Sequence, residues 1–188
     1  MEIELHVETL EDERRWNRLQ ELEAAPPATG VVLGRYLSFR DDDTFVWLHG
    51  FRDREERIAA QCGSGVRVLA PATGSTIARF EDFARIAESP VLEIRQYRLV
   101  PGTRARFAAF LRDRTLESHI RLGMTVHGPF DDLGDDDVLT WFRGFPSLAE
   151  RDRRKAAFYQ GEYWLNELQD EAFSMIEDYR NVMLVTPV

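Results

Sequence analysis

A chain of 188 residues suits one medium domain or two small halves that share a core, and a 44% hydrophobic content supplies that core and excludes global disorder. The formal charge of −9 and the lack of any basic block exclude nucleic acid as a natural partner. A single cysteine, Cys62, with no Cys/His zinc spacing, excludes an internal disulfide and a zinc site. The first sixteen residues lack the basic-then-apolar start of a signal peptide, and no apolar run approaches the ~18 residues of a membrane span. A reducing, cytoplasmic setting is therefore expected.

In chain order, Glu2 to Val7 alternates apolar and polar residues and predicts a strand. A helix is expected from Thr9, with Thr9 and Asp12 as an imperfect capping box and Trp16, Leu19 and Leu22 as its apolar stripe. Val31 to Phe39 predicts a second strand, and an Asp-rich turn leads into a third, Thr44 to Phe51. "DREE" opens a second helix, with Asp53 as N-cap and Glu56 three residues on. Val66 to Pro71 predicts a fourth strand. Residues 72 to 90 read as a linker holding a short docked helix, because Phe80, Phe83, Ala84 and Ala87 fall at helical spacing.

The same series then recurs. "DDDTFVWLHGF" at 41–51 has a near-copy, "DDDVLTWFRGF", at 135–145, and Trp47 and Trp141 lie 94 positions apart. The same shift relates Gly34 to Gly128, Phe51 to Phe145, Glu56 to Glu150 and Thr9 to Thr103. The second copy reads as strand (Leu92 to Val100), helix with Phe107, Phe110, Leu111 and Leu116 as its stripe, strand (Thr125 to Phe130), strand (Val138 to Phe145), helix from Ser147, and strand (Val182 to Pro187). It carries an insertion in which Trp164, Leu168, Glu171, Phe173 and Ile176 predict an amphipathic helix about 30 Å long. The β-α-β-β-α-β order, twice, is the ferredoxin-like unit and makes the fold class α+β. Each unit leaves one sheet face bare, so two units bury their bare faces against each other in an intramolecular barrel. The expected division is 1–71 for a degenerate first copy, 72–90 for the linker and 91–188 for the second copy.

The segments "EIRQYRLVPGT" (93–103), "LGMTVHGPF" (122–130), "WFRGFPSLAERD" (141–152) and "AFYQGEYW" (157–164), with the closing "NVMLVTP", resemble the NIPSNAP family of dimeric α/β-barrel proteins. The chain looks like a tandem, bacterial-type member with a degenerate first repeat. The resemblance implies ferredoxin-like halves meeting in a barrel. It implies little chemistry, since related barrels include cofactor-free monooxygenases, cyclases and haem enzymes.

Candidate site residues follow from strand alternation. Trp141, Arg143 and Phe145 share one face, as do Trp47, His49 and Phe51. Pointed into the space between the sheets, they would form an aromatic cage with one guanidinium, suited to a flat, anionic or enolisable molecule. The alternative is that the tryptophans are core. Glu93, Arg95 and Tyr97 share a face and read either as ligand-orienting groups or as a structural ion pair. With the shift of 94, Glu4 maps onto Arg98, which faces away from Tyr97 and leaves open which side lines a cavity. His127 is the candidate proton carrier. No cofactor is expected; a haem would need His119 or His127 as ligand. "DDLGDDD" (131–137) lacks the Gly and Glu positions of a calcium loop and reads as a solvated hairpin, and no metal site is expected. Nucleotide and hydrolase motifs are absent. Two functions compete: a small-molecule binding protein between the sheets, in its enzymatic form a cofactor-independent monooxygenase or cyclase, and a non-enzymatic interaction module with a filled barrel. Neither a nucleic acid nor a membrane is a partner, and further self-association is permitted.

Overall fold

The structure is a computed structural model that describes residues 1–9, 14, 16–18, 20–21, 29–40, 44–60 and 66–188. The first copy supplies β1 (Glu2–Thr9), β2 (Val31–Ser38), β3 (Thr44–Phe51), α1 (Arg54–Ala59) and β4 (Arg67–Pro71). Residues 14, 16–18 and 20–21 are helical. A 3₁₀ turn, Phe80–Phe83, runs into α2 (Ala84–Ala87). The second copy supplies β5 (Val91–Leu99), α3 (Arg104–Phe110, a π-helical turn Leu111–Thr115, and Leu116–Arg121), β6 (Thr125–Asp132) and β7 (Val138–Phe145). It continues with α4 (Leu148–Tyr159), α5 (a π-helical turn Trp164–Leu168, then Gln169–Met175), β8 (Ile176–Asp178) and β9 (Val182–Pro187).

Each half arranges its four main strands alike: β4-β1-β3-β2 in the first and β9-β5-β7-β6 in the second. Antiparallel pairings β4–β6 and β2–β9 join the halves at both seams, which closes an eight-stranded barrel. Closure removes the open edges that would otherwise invite strand addition. Register shifts fall at corresponding places, between Val32 and Gly34 and between His127 and Phe130, so both halves bend at the same point.

The barrel interior is packed. Ile3, Leu5, Val46 and Leu48 from one half meet Leu92, Ile94, Phe130 and Phe142 from the other in one buried apolar cluster. Ile77, Phe83 and Ile86 from the linker join it. The expected linker helix forms because Asp82 accepts hydrogen bonds from the backbone N–H of Ala78 (3.0 Å) and Arg79 (2.9 Å).

The predicted caps also form: Asp53 accepts from Glu56 N at 2.8 Å and Ser147 from Glu150 N at 3.2 Å. Ser147→Ala is expected to cost about 1 kcal/mol, read as a lower melting temperature with unchanged secondary structure.

Two expectations change. Thr9 ends β1, and the start of the helix that it is expected to cap lies outside the described residues. Its partner Asp12, like Leu19, Leu22 and Cys62, lies outside the described residues, and Trp16 is exposed. The inserted helix is shorter than predicted, about 20 Å over residues 162–175, because Ile176 leaves it to pair with Leu99 as β8.

Candidate functional site

Strand pairing settles which residues share a face. Glu4 lies opposite His49, and Glu93 lies opposite Arg143. His49 and Arg143 are therefore equivalent, as the repeat predicts. In strand 1, however, the equivalence is Glu4 with Glu93, an offset of 89 rather than 94. Ile3 and Leu5 match Leu92 and Ile94 on the barrel face, which turns Glu93, Arg95 and Tyr97 toward the helices.

The cage faces the same way. Leu139, Trp141 and Phe145 belong to a second apolar cluster with Phe107 and Phe110 of α3, Phe158 of α4 and Leu168 of α5. The space between the sheets is not the cavity. A cavity of about 260 Å³ instead lies between the second half's sheet and its helices. Arg95, Tyr97 and Trp141 form its sheet wall, and His119, Lys155, Tyr159 and Trp164 its helical wall. Both π-helical turns border it through Leu111, Thr115 and Trp164, in keeping with the placement of such turns at functional sites. Phe173 and Tyr179, both about half exposed, stand at its rim with ring centroids 5.5 Å apart.

Beneath the cavity sits one fully buried carboxylate, Glu93. Arg143 Nη2 donates to its Oε1 at 2.5 Å, and Arg95 Nη1 donates to the same oxygen. Arg151 Nη2 (2.6 Å) and Lys155 Nζ (3.3 Å) hold Oε2. Burial pushes the Glu93 carboxyl up, but Arg143, Arg95 and Lys155 overcome it and hold the group well below the usual carboxylate range. Burial lowers Lys155 from its ordinary value, against the pull of Glu93. Four cations share this one carboxylate, with Asp152 meeting Arg151 at the surface (2.7 Å), so the buried end of the cavity is electropositive.

His119 completes the wall. Its Nδ1 lies 2.8 Å from the Thr115 carbonyl, which can only accept, so Nδ1 carries the hydrogen. Nε2 then accepts from Arg143 Nη1 at 3.3 Å. Burial, reinforced by the Arg143 charge, pushes the imidazole down to about 3 and keeps it neutral. Burial raises the Tyr97 phenol. Burial also acts to raise Tyr159, but Arg143 and Arg95 more than offset it and leave that phenol below its ordinary value.

Of the sequence-predicted residues, Tyr97 and Trp141 line the cavity. Arg143 does not: it is fully buried below the floor, where it supports Glu93, His119 and Tyr159 rather than meeting a ligand. Arg98 lies away from the cavity, paired with Asp135 at 2.7 Å. Trp47 and His49 occupy the equivalent place in the first half. There His6 stacks on Trp47 at 3.7 Å, and His49 Nε2 meets the Thr29 carbonyl at 2.8 Å. His127 is opposite Phe142 and so shares the packed barrel face, far from a proton-carrying role in this cavity; burial, then Arg85, pushes it down to about 4. Both His119 nitrogens are engaged, so neither is free to ligate a haem iron. The acidic hairpin serves structure, with Asp132 on Arg67 (2.6 Å) and Asp131 on Arg104 (3.3 Å). Among the described residues, no group of three His, Cys, Asp or Glu could hold a metal ion, and no helix is long and apolar enough to cross a membrane.

Sequence reasoning missed Arg151 and Lys155 as partners of the site. The signal was present: Arg151, Lys155 and Tyr159 recur every four residues on one face of α4.

The profile of the NIPSNAP family matches residues 92–188, just over half of the chain and all of the cavity-bearing half. The chain belongs to the NIPSNAP family. A NIPSNAP family protein from Agrobacterium tumefaciens C58 is 19% identical over 52% of this chain and 85% of its own, with a TM-score of 0.47. Likenesses to other solved structures extend over the whole of this NIPSNAP chain. A Lactobacillus acidophilus NCFM protein provisionally described as a monooxygenase covers 98% of this chain and 92% of its own at 10% identity, with a TM-score of 0.66. A protein provisionally described as a chlorite dismutase covers 100% of this chain and 94% of its own at 13% identity, with a TM-score of 0.58. These show a shared barrel fold. No curated protein sequence matches this NIPSNAP chain.

Proposed function

We propose that the protein binds a small, flat, anionic molecule in the cavity between the second sheet and its helices. The observation that carries this reading is the excess of positive charge at the buried end of an aromatic-walled cavity. Arg95 and Lys155 reach the cavity from a cluster with a single buried carboxylate, and desolvated cations favour an anion there. The aromatic walls favour a planar ligand. An enzymatic form, of monooxygenase or cyclase type and independent of a cofactor, draws its support from likeness of fold. The packed barrel interior fits the competing reading of an interaction module, but that reading leaves the charged cavity without a use.

Calorimetric titration with a panel of aromatic carboxylates and phenols tests the proposal. Saturable binding at one site is expected, weakened about tenfold or more in Lys155→Met, which removes a charge-assisted contact from the half-buried rim of the cluster. Equal affinity in the variant, or no binding by any anion of the panel, refutes the reading.

A further inference from the structure

The arginine forks beneath the cavity are already occupied. Arg143 gives Nε and Nη2 to Glu93, and its Nη1 faces His119 and Tyr159. Arg95 gives Nη1 to Glu93 and Nε to the Tyr97 hydroxyl at 2.5 Å. A carboxylate seeking a planar two-point clamp finds little of one here.

What faces the cavity instead is a pair of phenols on opposite walls. Tyr97 projects from β5 and Tyr159 from α4. Each phenol oxygen accepts from a guanidinium, Tyr97 from Arg95 and Tyr159 from Arg143 at 3.3 Å. Among the described residues, neither hydroxyl has an acceptor for its own hydrogen. Two O–H donors, each polarised by a cation behind it, are thus left to meet a ligand oxygen. Both guanidiniums bond to Glu93 Oε1, so one ion cluster fixes the two donors together.

Resting on the reading of the cavity given above, we propose that Tyr97 and Tyr159 form an oxyanion hole and that the cavity takes phenols and stable enols as their oxyanions. The bond that breaks is the ligand's own acidic O–H. Its electron pair stays on oxygen and its proton goes to solvent, so nothing is oxidised or reduced. Two preorganised donors with little water around them stabilise such an oxygen far better than bulk water does. The remainder of the ligand ring lies against Trp141 and Phe158. The direction of the Tyr159 shift agrees, since the charges that favour a phenolate on Tyr159 favour one on a ligand beside it.

4-Nitrophenol is a suitable probe, because its phenolate absorbs in the visible and its neutral form does not. The titration is run below the pH at which the free probe ionises, with nitrobenzene as a neutral control and benzoate as a carboxylate control. The phenolate band is expected to grow and saturate as protein is added. Tyr97→Phe and Tyr159→Phe are each expected to weaken phenolate binding about tenfold while leaving nitrobenzene binding unchanged. The unchanged control separates loss of the oxyanion hole from loss of the fold. If benzoate binds while 4-nitrophenol binds only in its neutral form or not at all, the oxyanion hole is refuted and the anion cavity stands. If none of the three probes binds, both are refuted.

Discussion

Replacing Glu93 by glutamine should destabilise the protein by about 3–5 kcal/mol, the largest effect of any single substitution in the cluster. The carboxylate is fully buried and holds Arg95, Arg143, Arg151 and Lys155 at once. Glutamine keeps the shape but removes the charge, which strands Arg143 (0% exposed) and Arg95 (6% exposed) without an anion. Breaking one partner of a buried ion pair costs far more than replacing the pair by apolar groups. The double variant Glu93→Gln/Arg143→Met should therefore lose less than the two single losses added together. Urea denaturation midpoints give the numbers. A loss below about 1 kcal/mol for Glu93→Gln would falsify the view that this carboxylate holds the cations of the floor together.

The second large effect is acid lability that begins well above the carboxylate range. His119 is held down to about 3 and His127 to about 4, each mainly by burial. An unfolded histidine takes a proton near pH 6.5, whereas these two refuse it in the folded protein. The unfolded state then binds more protons, so stability rises with pH through this window and is lost as pH falls from about 6.5 toward 4. Each histidine contributes on the order of 3–5 kcal/mol at the acid limit. Glu93, whose carboxyl is depressed, adds a further loss only below about pH 4.5, since its stabilisation is present above its unfolded value. Denaturation midpoints between pH 7.5 and 5 should fall steeply in the wild type and stay nearly level in His119→Gln/His127→Gln. Matching slopes in the two proteins would remove the histidines from this role.

Strands and caps were legible because their signals are local. Alternation marked β1, the near-copies around Trp47 and Trp141 marked β3 and β7, and Asp53 and Ser147 announced their helices three residues ahead of Glu56 and Glu150. Closure of the barrel was legible from the repeat, because two half-covered sheets have few other ways to hide. The cavity was misplaced because large aromatic residues line both faces of β7. Trp141 and Arg143 look inward or outward equally well until Phe142 is seen to take the barrel side. The shift of 94 also misled at strand 1. The chance pairing of Thr9 with Thr103 hid the better match of "IELH" (3–6) to "LEIR" (92–95), in which Glu4 stands for Glu93 and His6 for Arg95. Lys155 was passed over because a helical lysine reads as a solvated surface charge until a buried carboxylate is known to lie beneath it.

Joining two copies in one polypeptide has a consequence that an assembly of identical subunits cannot share. Where the second half leaves Trp141 beside open space and Arg95, the first half stacks His6 flat on Trp47. A symmetric dimer must carry every substitution twice, and a change that solidifies one lobe would close both pockets. Covalent linkage breaks that constraint: the surroundings of Trp47 and Trp141 are free to diverge, with the seams β4–β6 and β2–β9 still holding both lobes in one barrel.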